Sequence, residues 1–479
     1  MSSSKEYDQY LDAKSKIARF VYSNLNVSAR TIMLLAIGGM IVDAWDAAAF
    51  GFGTTFFIST FHPTATYLGL SIVAVNIGAV VGSITGGFLV DRIGRKLMFI
   101  VNMILFVLMA FLAAVSQNLL EFFIFRALLG FPVGADEPDG VNYLFEFSEQ
   151  KQRLKWSSSV AFSFGVMYPI AALGTLGLFE IFGSNPLVWR LNIAIGGIIA
   201  LILLIFRTRM PESALWLANR GKFKDSKSVL KKIYGKVPEG VPDVNYDLRK
   251  TKIRDVFGVF KKGYNRVLLH SWTNDVVVAY TTWSFGIFLP LALAESHFGG
   301  GGIRTSLYFD AFIYTGALIG AIVAMKGIHT GLRKWTAIMN LLLAVSLVFV
   351  FLSGSKIIPF VYIVPSAWFV LFFTFTGPFT YWGIVNTQIP TTMRGIINGW
   401  TLGLNKGFAI IASLLAAFIV LTVGITGTVW IPLGLVLGTM IVSIVYGRDG
   451  DKLSAADVDI KGLTIFDGSD SVINEKKDE

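Results

Sequence analysis

The chain has no cysteine and only four histidines among its 479 residues. Without cysteine it can form neither a disulfide framework nor a thiolate metal site, and the histidines at positions 62, 270, 297 and 329 show no ligand spacing. Charged residues are also scarce: they make up 15% of the chain, whereas soluble proteins contain about a quarter. These absences argue against a metal site, a bound cofactor and an ordinary soluble fold.

Long apolar runs take the place of the missing charge. Hydrophobic residues make up 54% of the chain, and the mean hydropathy is +0.64. A hydrocarbon core about 30 Å thick needs roughly 20 apolar residues per helix, because every backbone polar group must be satisfied within the helix. The sequence therefore predicts an all-α membrane protein with twelve transmembrane helices, at residues 30–58, 66–90, 97–116, 119–145, 156–180, 188–206, 266–293, 304–326, 334–353, 358–387, 393–422 and 425–446.

The basic residues are concentrated between particular apolar runs. The net charge is +10, and residues 207–265 hold more than twice as many Lys and Arg as Asp and Glu. This asymmetry follows the positive-inside rule and does not indicate nucleic-acid binding. It predicts a plasma-membrane protein with both termini in the cytoplasm. The predicted parts are a cytosolic N-terminal segment (1–29), a six-helix bundle (30–206), a basic connector with short helices (207–265), a second six-helix bundle (266–446) and a flexible acidic tail (447–479).

The stretch GGFLVDRIGRK, residues 86–96, joins the second and third predicted spans. Its charged residues can hold two spans in a tight hairpin through ion pairs and helix-end contacts. The stretch resembles the signature loop of the major facilitator superfamily of secondary transporters. Four further motifs resemble those of its sugar porters and their organic-ion and phosphate relatives: Glu146 followed by Arg153, Trp189-Arg190, PESALWL from Pro211, and QIPTTMRG from Gln388.

This resemblance implies a 6+6 pseudo-symmetric major facilitator fold, a substrate site near the membrane midplane and transport by alternating access. The sequence also has no constellation of nucleophile, base and orienting group, which argues against an enzyme. Arg126 and Glu146 are expected to belong to a cytoplasmic ion-pair network. Gate or structural roles are predicted for Gly87, Asp91, Arg92, Gly94, Arg95, Arg126, Glu146, Arg153 and Arg394.

Charged residues inside the predicted spans cost about 2.5–3.5 kcal/mol each on insertion scales and are therefore candidates for function. Asp43 and Asp46 are three residues apart and lie on one helix face, so both can point into one cavity. A buried carboxyl that exchanges a cationic partner for a proton can couple transport to protons. The predicted proton-coupling residues are Asp43, Asp46, Asp136 and Glu137, and the predicted substrate-binding residues are Trp45, Tyr143, Trp272, Asp275, Tyr280, Trp382, Asn386 and Lys406.

Two features narrow the expected substrate. The pair formed by Asp43 and Asp46 resembles the proton-linked phosphate and aromatic-acid symporters, and Lys406 resembles the phosphate group. Glu137, however, stands where the phosphate symporters carry a tyrosine, and the acidic surplus leaves a sugar or an organic cation open as the substrate. A membrane sensor that does not transport is a further alternative. We predict a monomeric, proton-coupled symporter of a small polar metabolite, favouring an organic or inorganic anion, that contacts membrane lipids and no nucleic acid.

Overall fold

A computed structural model describes residues 4–24, 26–148, 153–245, 264–295, 302–327, 331–389, 391–423 and 425–447 of the chain. Within these ranges the chain is helical and forms no strand, although one isolated bridge joins Lys222 to Asn245. The prediction of an all-α chain is confirmed over these ranges. Apart from residue 447, the predicted acidic tail lies outside the described residues.

The first bundle contains six long helices. Asn26 caps the first of them, because its side-chain oxygen accepts the N–H of Ala29 at 2.8 Å. A preceding helix and the six helices of the bundle are α1 (Ser4–Ser23), α2 (Val27–Phe61), α3 (Ala65–Ile93), α4 (Arg95–Val115), α5 (Leu119–Phe147), α6 (Arg153–Phe182) and α7 (Leu187–Arg207).

Gly94 forms the turn between α3 and α4. Its φ is +112°, a left-handed value that favours glycine, and a Cβ at this position would lie 2.5 Å from Glu212 Oε2. The tight hairpin predicted from the sequence therefore depends on the absence of a side chain at residue 94.

Two short helices, α8 (Ala214–Asn219) and α9 (Phe223–Tyr234), follow the first bundle. Helix α1 packs against them. The Tyr10 hydroxyl donates to the Asn219 carbonyl oxygen at 3.3 Å, and Ile17 is fully buried in the apolar cluster that α1, α8 and α9 share. The N-terminal helix and the connector therefore form one packed unit.

The second bundle follows the same plan with one interruption. Its helices are α10 (Asn265–Glu295), α11 (Ile303–Gly327), α12 (Leu332–Gly354), α13 (Ile363–Thr376), α14 (Tyr381–Gln388), α15 (Thr391–Val423) and α16 (Trp430–Tyr446). The span predicted at 358–387 is broken between α13 and α14 by the 3₁₀ turn Pro378–Thr380. Proline lacks an N–H and restricts the residue before it, Gly377, so a regular helix cannot continue through this point.

Nine helical segments in the described ranges are long and apolar enough to cross a membrane. They do not include α5, α10 and α15, which carry Glu137, Asp275 and Lys406 respectively. The helices that miss this criterion are therefore ones that bring charge into the protein interior. The count of twelve spans and the cytoplasmic position of both termini stay predictions.

The two bundles approach each other closely through glycines. A Cβ on Gly87 of α3 would lie 2.6 Å from the Gly395 carbonyl oxygen of α15. A Cβ on Gly165 of α6 would lie 2.8 Å from the Cα of Leu318 in α11. Small residues at such crossings let helix backbones pack at short distance. The pairs α3–α15 and α6–α11 form the most extensive helix contacts between the bundles in the described residues.

Candidate functional site

A central cavity lies between the two bundles. It encloses about 390 Å³ of empty space, including space open to solvent. The first bundle contributes Asp43, Glu137 and Tyr168 to its wall, and the second contributes Tyr381 and Lys406. Small-molecule sites combine apolar walls with a few polar groups, and the wall of this cavity has that composition.

Lys406 links the bundles electrostatically at the cavity wall. Its Nζ lies 3.2 Å from Asp43 Oδ2 and 3.9 Å from Glu137 Oε2, and none of these three side chains is more than 6% exposed. One base is thus shared by two acids away from bulk water. Removing one member of such a group leaves a buried charge uncompensated, which costs about 3–5 kcal/mol. Because α2 and α5 supply the acids and α15 supplies the lysine, the link depends on how the bundles are arranged.

Asp46 pairs with Arg126 inside the first bundle. The guanidinium NH1 donates to Asp46 Oδ1 at 2.5 Å. Arg126 also lines a second cavity of about 400 Å³, which shares Asp43 and Lys406 with the central one. The expectation that Arg126 joins an ion-pair network with Glu146 is wrong, because the two residues lie 20 positions apart on α5, roughly 30 Å along its axis.

Asp136 lies in a separate buried pair. Arg207 NH1 donates to Asp136 Oδ1 at 2.6 Å, and the same guanidinium donates to the carbonyl oxygens of Leu35 and Ala36. Asp136 is not among the residues that line either cavity. Arg207 was predicted to belong to the connector, yet it is the last residue of α7 and fully buried. Its position directly after an apolar run was the feature of the sequence that could have indicated a place at the end of the helix.

The signature loop takes part in a network on the connector side of the molecule. Arg95 NH2 donates to Glu146 Oε1 at 3.0 Å, and NH1 lies 3.7 Å from Asp139 Oδ1. Glu212 of the connector accepts the backbone N–H groups of Arg95 and Lys96 at 3.0 and 3.3 Å. These N–H groups begin α4, where the helix dipole favours a negative charge. Burial raises the pKa of Glu212 above its usual range, although its hydrogen bonds and the Arg95 guanidinium oppose the rise.

The other predicted gate residues occupy different settings. Arg92 is exposed, and its guanidinium lies 4.0 Å from the centroid of the Phe88 ring. Arg394 is buried and donates to the Ile389 carbonyl oxygen at 2.9 Å. The side chains of Asp91 and Arg153 are not among those that the structure describes, so their predicted gate or structural roles stay predictions.

Two polar contacts lie at or beside the cavity wall. Asn405, the neighbour of Lys406, donates to Asp275 Oδ1 at 2.7 Å. Asn398 of α15 donates to Asn142 of α5 at 2.7 Å and to Asn386 of α14 at 2.9 Å. Neither Asp275 nor Asn386 lines the cavities, although both were predicted to bind substrate. The hydrogen bonds among these three asparagines instead connect the two bundles.

Five aromatic residues predicted to bind substrate also lie outside the cavity walls. Tyr280 and Trp382 are buried. The other three use their polar atoms elsewhere: Trp45 donates to Asn192 O (2.9 Å), Tyr143 to Pro211 O (2.6 Å) and Trp272 to Thr401 Oγ1 (3.0 Å). Most of the surface of these helices is apolar, so periodicity does not reveal which way each ring points.

Several cavity residues were not predicted as site residues. Asn405 lines the central cavity, and its position beside Lys406 was an available signal. Tyr168, Trp283 and Tyr381 also line it, but no charged neighbour marks them in the sequence. They enter the site because α6, α10 and α14 face the same space.

The described residues thus form a helical protein with buried ion pairs around a cavity between two bundles. Comparison with known proteins gives this arrangement a family. The sequence model of the sugar (and other) transporter family matches residues 14–447, and the chain belongs to this family of multi-pass membrane transporters, which are not enzymes.

Particular relatives support the assignment. YaaU of Escherichia coli (strain K12) is 25% identical over 439 residues, which are 89% of this chain and 94% of YaaU. The 4-hydroxybenzoate transporter PcaK of Pseudomonas aeruginosa is 26% identical over 300 residues, 61% of this chain and 64% of PcaK. The major facilitator proton:xylose symporter XylE of E. coli, bound to 6-bromo-6-deoxy-D-glucose, has a similar fold, with a TM-score of 0.74 at 16% identity over 91% of this chain and 98% of XylE. The predicted resemblance to the major facilitator superfamily is confirmed.

Proposed function

We propose that the chain is a proton-coupled symporter that moves a small organic anion across the cell membrane by alternating access. The main supporting observation is the lysine that two acids share. Lys406 of the second bundle lies 3.2 Å from Asp43 and 3.9 Å from Glu137 of the first bundle, at the wall of the central cavity.

The charges of this group link proton binding to anion binding. With both acids ionised, Lys406 is neutralised and the group carries one net negative charge, which repels an anion. One proton, bound to Asp43 or Glu137, makes the group neutral and lets the ammonium pair with a substrate carboxylate. Loss of that proton returns Lys406 to its acids and favours release of the anion. Each pH unit across the membrane contributes about 1.4 kcal/mol per proton, a factor of ten in concentration.

The same contact gives a reason for coupling to bundle motion. The ion pair crosses from α2 and α5 to α15. Two further contacts reach α15 from the first bundle, one from Asn142 of α5 to Asn398 and one from Gly87 of α3 to Gly395. Movement of one bundle relative to the other must lengthen or re-form these contacts. Protonation and substrate occupancy therefore change the balance between conformations open to opposite sides.

The cavity walls favour an organic anion with an apolar or aromatic body. Tyr168, Trp283 and Tyr381 offer ring surfaces, and Lys406 offers the positive charge. Arg126 in the adjoining cavity is already bound to Asp46, which makes it a weaker anion site. Because PcaK is a 4-hydroxybenzoate transporter by name, 4-hydroxybenzoate is a suitable first probe.

The positions of the four predicted proton carriers support a role in proton coupling to different degrees. Asp43 and Glu137 line the cavity and share Lys406, so we assign the coupling to them. Asp46 is the next candidate, through its pair with Arg126. Asp136 is bound to Arg207 away from both cavities, which favours a structural role for it.

The test uses purified full-length protein in liposomes with an acid gradient across the membrane. We expect radiolabelled 4-hydroxybenzoate to accumulate with protons. Asp43→Asn and Glu137→Gln should lose accumulation by about tenfold per pH unit of gradient while they retain exchange at equal pH. Lys406→Ala should lose both accumulation and exchange, because the carboxylate of the substrate then has no cationic partner in the cavity. Glu180→Gln is the matched control, since this acid lies in an exposed pair with Arg304. Accumulation by all variants at the wild-type level contradicts the proposal.

A neutral sugar is the second candidate substrate. The family name and the fold likeness to the proton:xylose symporter XylE favour it. D-Xylose in the same liposomes separates the two candidates: a sugar carrier should take up D-xylose and no 4-hydroxybenzoate, and it should keep most sugar binding after Lys406→Ala.

A further inference from the structure

Asp310 is a buried acid that the proposed transport cycle does not use. It lies on α11, is 2% exposed, and no hydrogen bond or ion pair reaches its carboxyl group from the residues that the structure describes. The other buried acids discussed above each have a basic or amide partner. A lone carboxylate in apolar surroundings is strongly disfavoured, and such a group becomes neutral by binding a proton.

The face of α11 that carries Asp310 points to the junction of the two bundles. Tyr314 and Ala317, four and seven residues later, lie on the same face. The Tyr314 ring lies 4.9 Å from that of Tyr168 in α6 and 5.8 Å from that of Phe52 in α2, both in the first bundle. Tyr314 and Asp310 are also electrostatic neighbours.

This face continues into the central cavity. Tyr314, Tyr168 and Trp283 line a cavity of about 320 Å³, and Tyr168 and Trp283 line the central cavity as well. Tyr168 is an electrostatic neighbour of Asp43 and Glu137. Asp310 is therefore connected to the central acids through two tyrosines in contact.

Few titratable groups from the packed elements face this region. The described side chains of α13 include none. On α10 there are Arg266, His270 and Asp275 near the start of the helix, and the buried Tyr280 further along it. His270 is hydrogen-bonded to Thr336, and Asp275 accepts from Asn405.

The described titratable side chains of α6 are Lys155, Tyr168 and Glu180. Lys155 is exposed near the start of the helix, about 20 Å along the axis from Tyr168. Glu180 is exposed and bound at 2.7 Å to Arg304, about 9 Å along α11 from Asp310. No described base is therefore close enough to hold Asp310 as a carboxylate.

We propose that Asp310 is a second proton-binding site, on the second bundle, which holds its proton while α6 and α11 are packed together and releases it when the bundles move apart and water reaches it. The carboxyl gives its proton to a water molecule, and the carboxylate takes a proton back from water as the helices close. This inference rests on the proposed proton coupling, but its first test does not.

The first test measures protonated carboxyl groups directly. Infrared spectra of the detergent-solubilised full-length protein at neutral pH should contain a protonated-carboxyl band that Asp310→Asn lacks. Asp310→Glu should keep a shifted band, which separates a chemical effect from misfolding. Glu180→Gln, on the exposed pair, should keep the wild-type band. An identical band in Asp310→Asn and wild type overturns the assignment.

The second test measures coupling with 4-hydroxybenzoate as the probe in liposomes. Asp310→Asn should accumulate about tenfold less probe per pH unit of gradient, with exchange at equal pH within about twofold of wild type. Wild-type accumulation and an unchanged pH profile in this variant overturn the coupling role. If wild type itself shows no proton-driven accumulation, the proposed function fails, and the infrared result still decides whether Asp310 holds a proton.

Discussion

Gly39 illustrates how one missing side chain permits a buried ion pair. A Cβ at this position would lie 1.7 Å from Asp136 Oδ2 and 2.8 Å from the NH2 of Arg207. Both charged side chains are almost completely buried, and their carboxylate and guanidinium groups lie 2.6 Å apart. The pair can therefore form only because α2 presents bare backbone to α5 and α7.

We expect Gly39→Ala to destabilise the protein by about 3–5 kcal/mol, because the methyl group must push the acid away from its base and leave a buried charge uncompensated. Thermal unfolding followed in detergent measures the loss. Gly51→Ala is the control on the same helix, since no atom of the described residues lies within 4 Å of the Cβ it would add. Equal melting temperatures for the two variants would contradict this account of Asp136.

At the scale of single elements, the connector is tied to the start of α4 by one carboxyl group. Glu212 accepts N–H groups from Arg95 and Lys96, and Gly94 provides the space for it. Helix α1 packs on the other part of the connector through Tyr10 and Ile17. The connector is thus held between the N-terminal helix and the α3–α4 turn.

The raised pKa of Glu212 predicts a pH dependence for this attachment. Burial favours the neutral form of Glu212 in the folded protein. The contribution of this neutral side chain to the free energy of unfolding is therefore complete below the ordinary glutamate pKa of about 4.3. This contribution declines as the pH rises through the higher pKa that Glu212 has in the folded protein. We expect the melting temperature of the wild type, relative to that of Glu212→Gln, to fall as the pH is raised from about 4.3 towards neutrality. Glu239→Gln, at an exposed connector position, should follow the wild type; a constant difference between wild type and Glu212→Gln would exclude this source of pH dependence.

At the scale of the whole molecule, the bundles are packed together on the side that carries the connector. Gly87 approaches the Gly395 carbonyl oxygen, and Asn398 donates to Asn142. Ser157 of α6 is fully buried there, with its Oγ 2.8 Å from the position of a Cβ on Gly383 of α14. Access to this side therefore requires the bundles to separate.

The absence of cysteine makes this separation measurable, because Ser157→Cys introduces a single thiol of similar size. Gly87→Ala should force α3 and α15 apart, at a cost of about 1–3 kcal/mol to the closed arrangement. We expect maleimide to label Ser157→Cys about tenfold faster in the Gly87→Ala background, since about 1.4 kcal/mol changes a population tenfold. Gly434→Ala is the control, because its Cβ would have no atom within 4 Å in the part of the chain that the structure describes. Unchanged labelling would show that Gly87 does not hold this side closed.

The local sequence was sufficient for the class of protein and for many of its charged residues. Apolar runs, a signature loop and basic clusters depend on residues close together in the chain, so the all-α fold and the family could be predicted from them. Asp43 and Lys406 could be singled out for the same reason, because a charge inside an apolar run is visible without a structure.

Only the tertiary structure decided which of these residues meet. Lys406 and Asp43 are 363 positions apart, and their contact follows from the packing of two separate bundles. The same packing directs Tyr168, Trp283 and Tyr381 to the cavity and turns Trp45 and Tyr143 away from it. In helices that are apolar over most of their surface, the sequence gives little indication of which way each aromatic side chain points, so the site depends on long-range contacts that local composition does not encode.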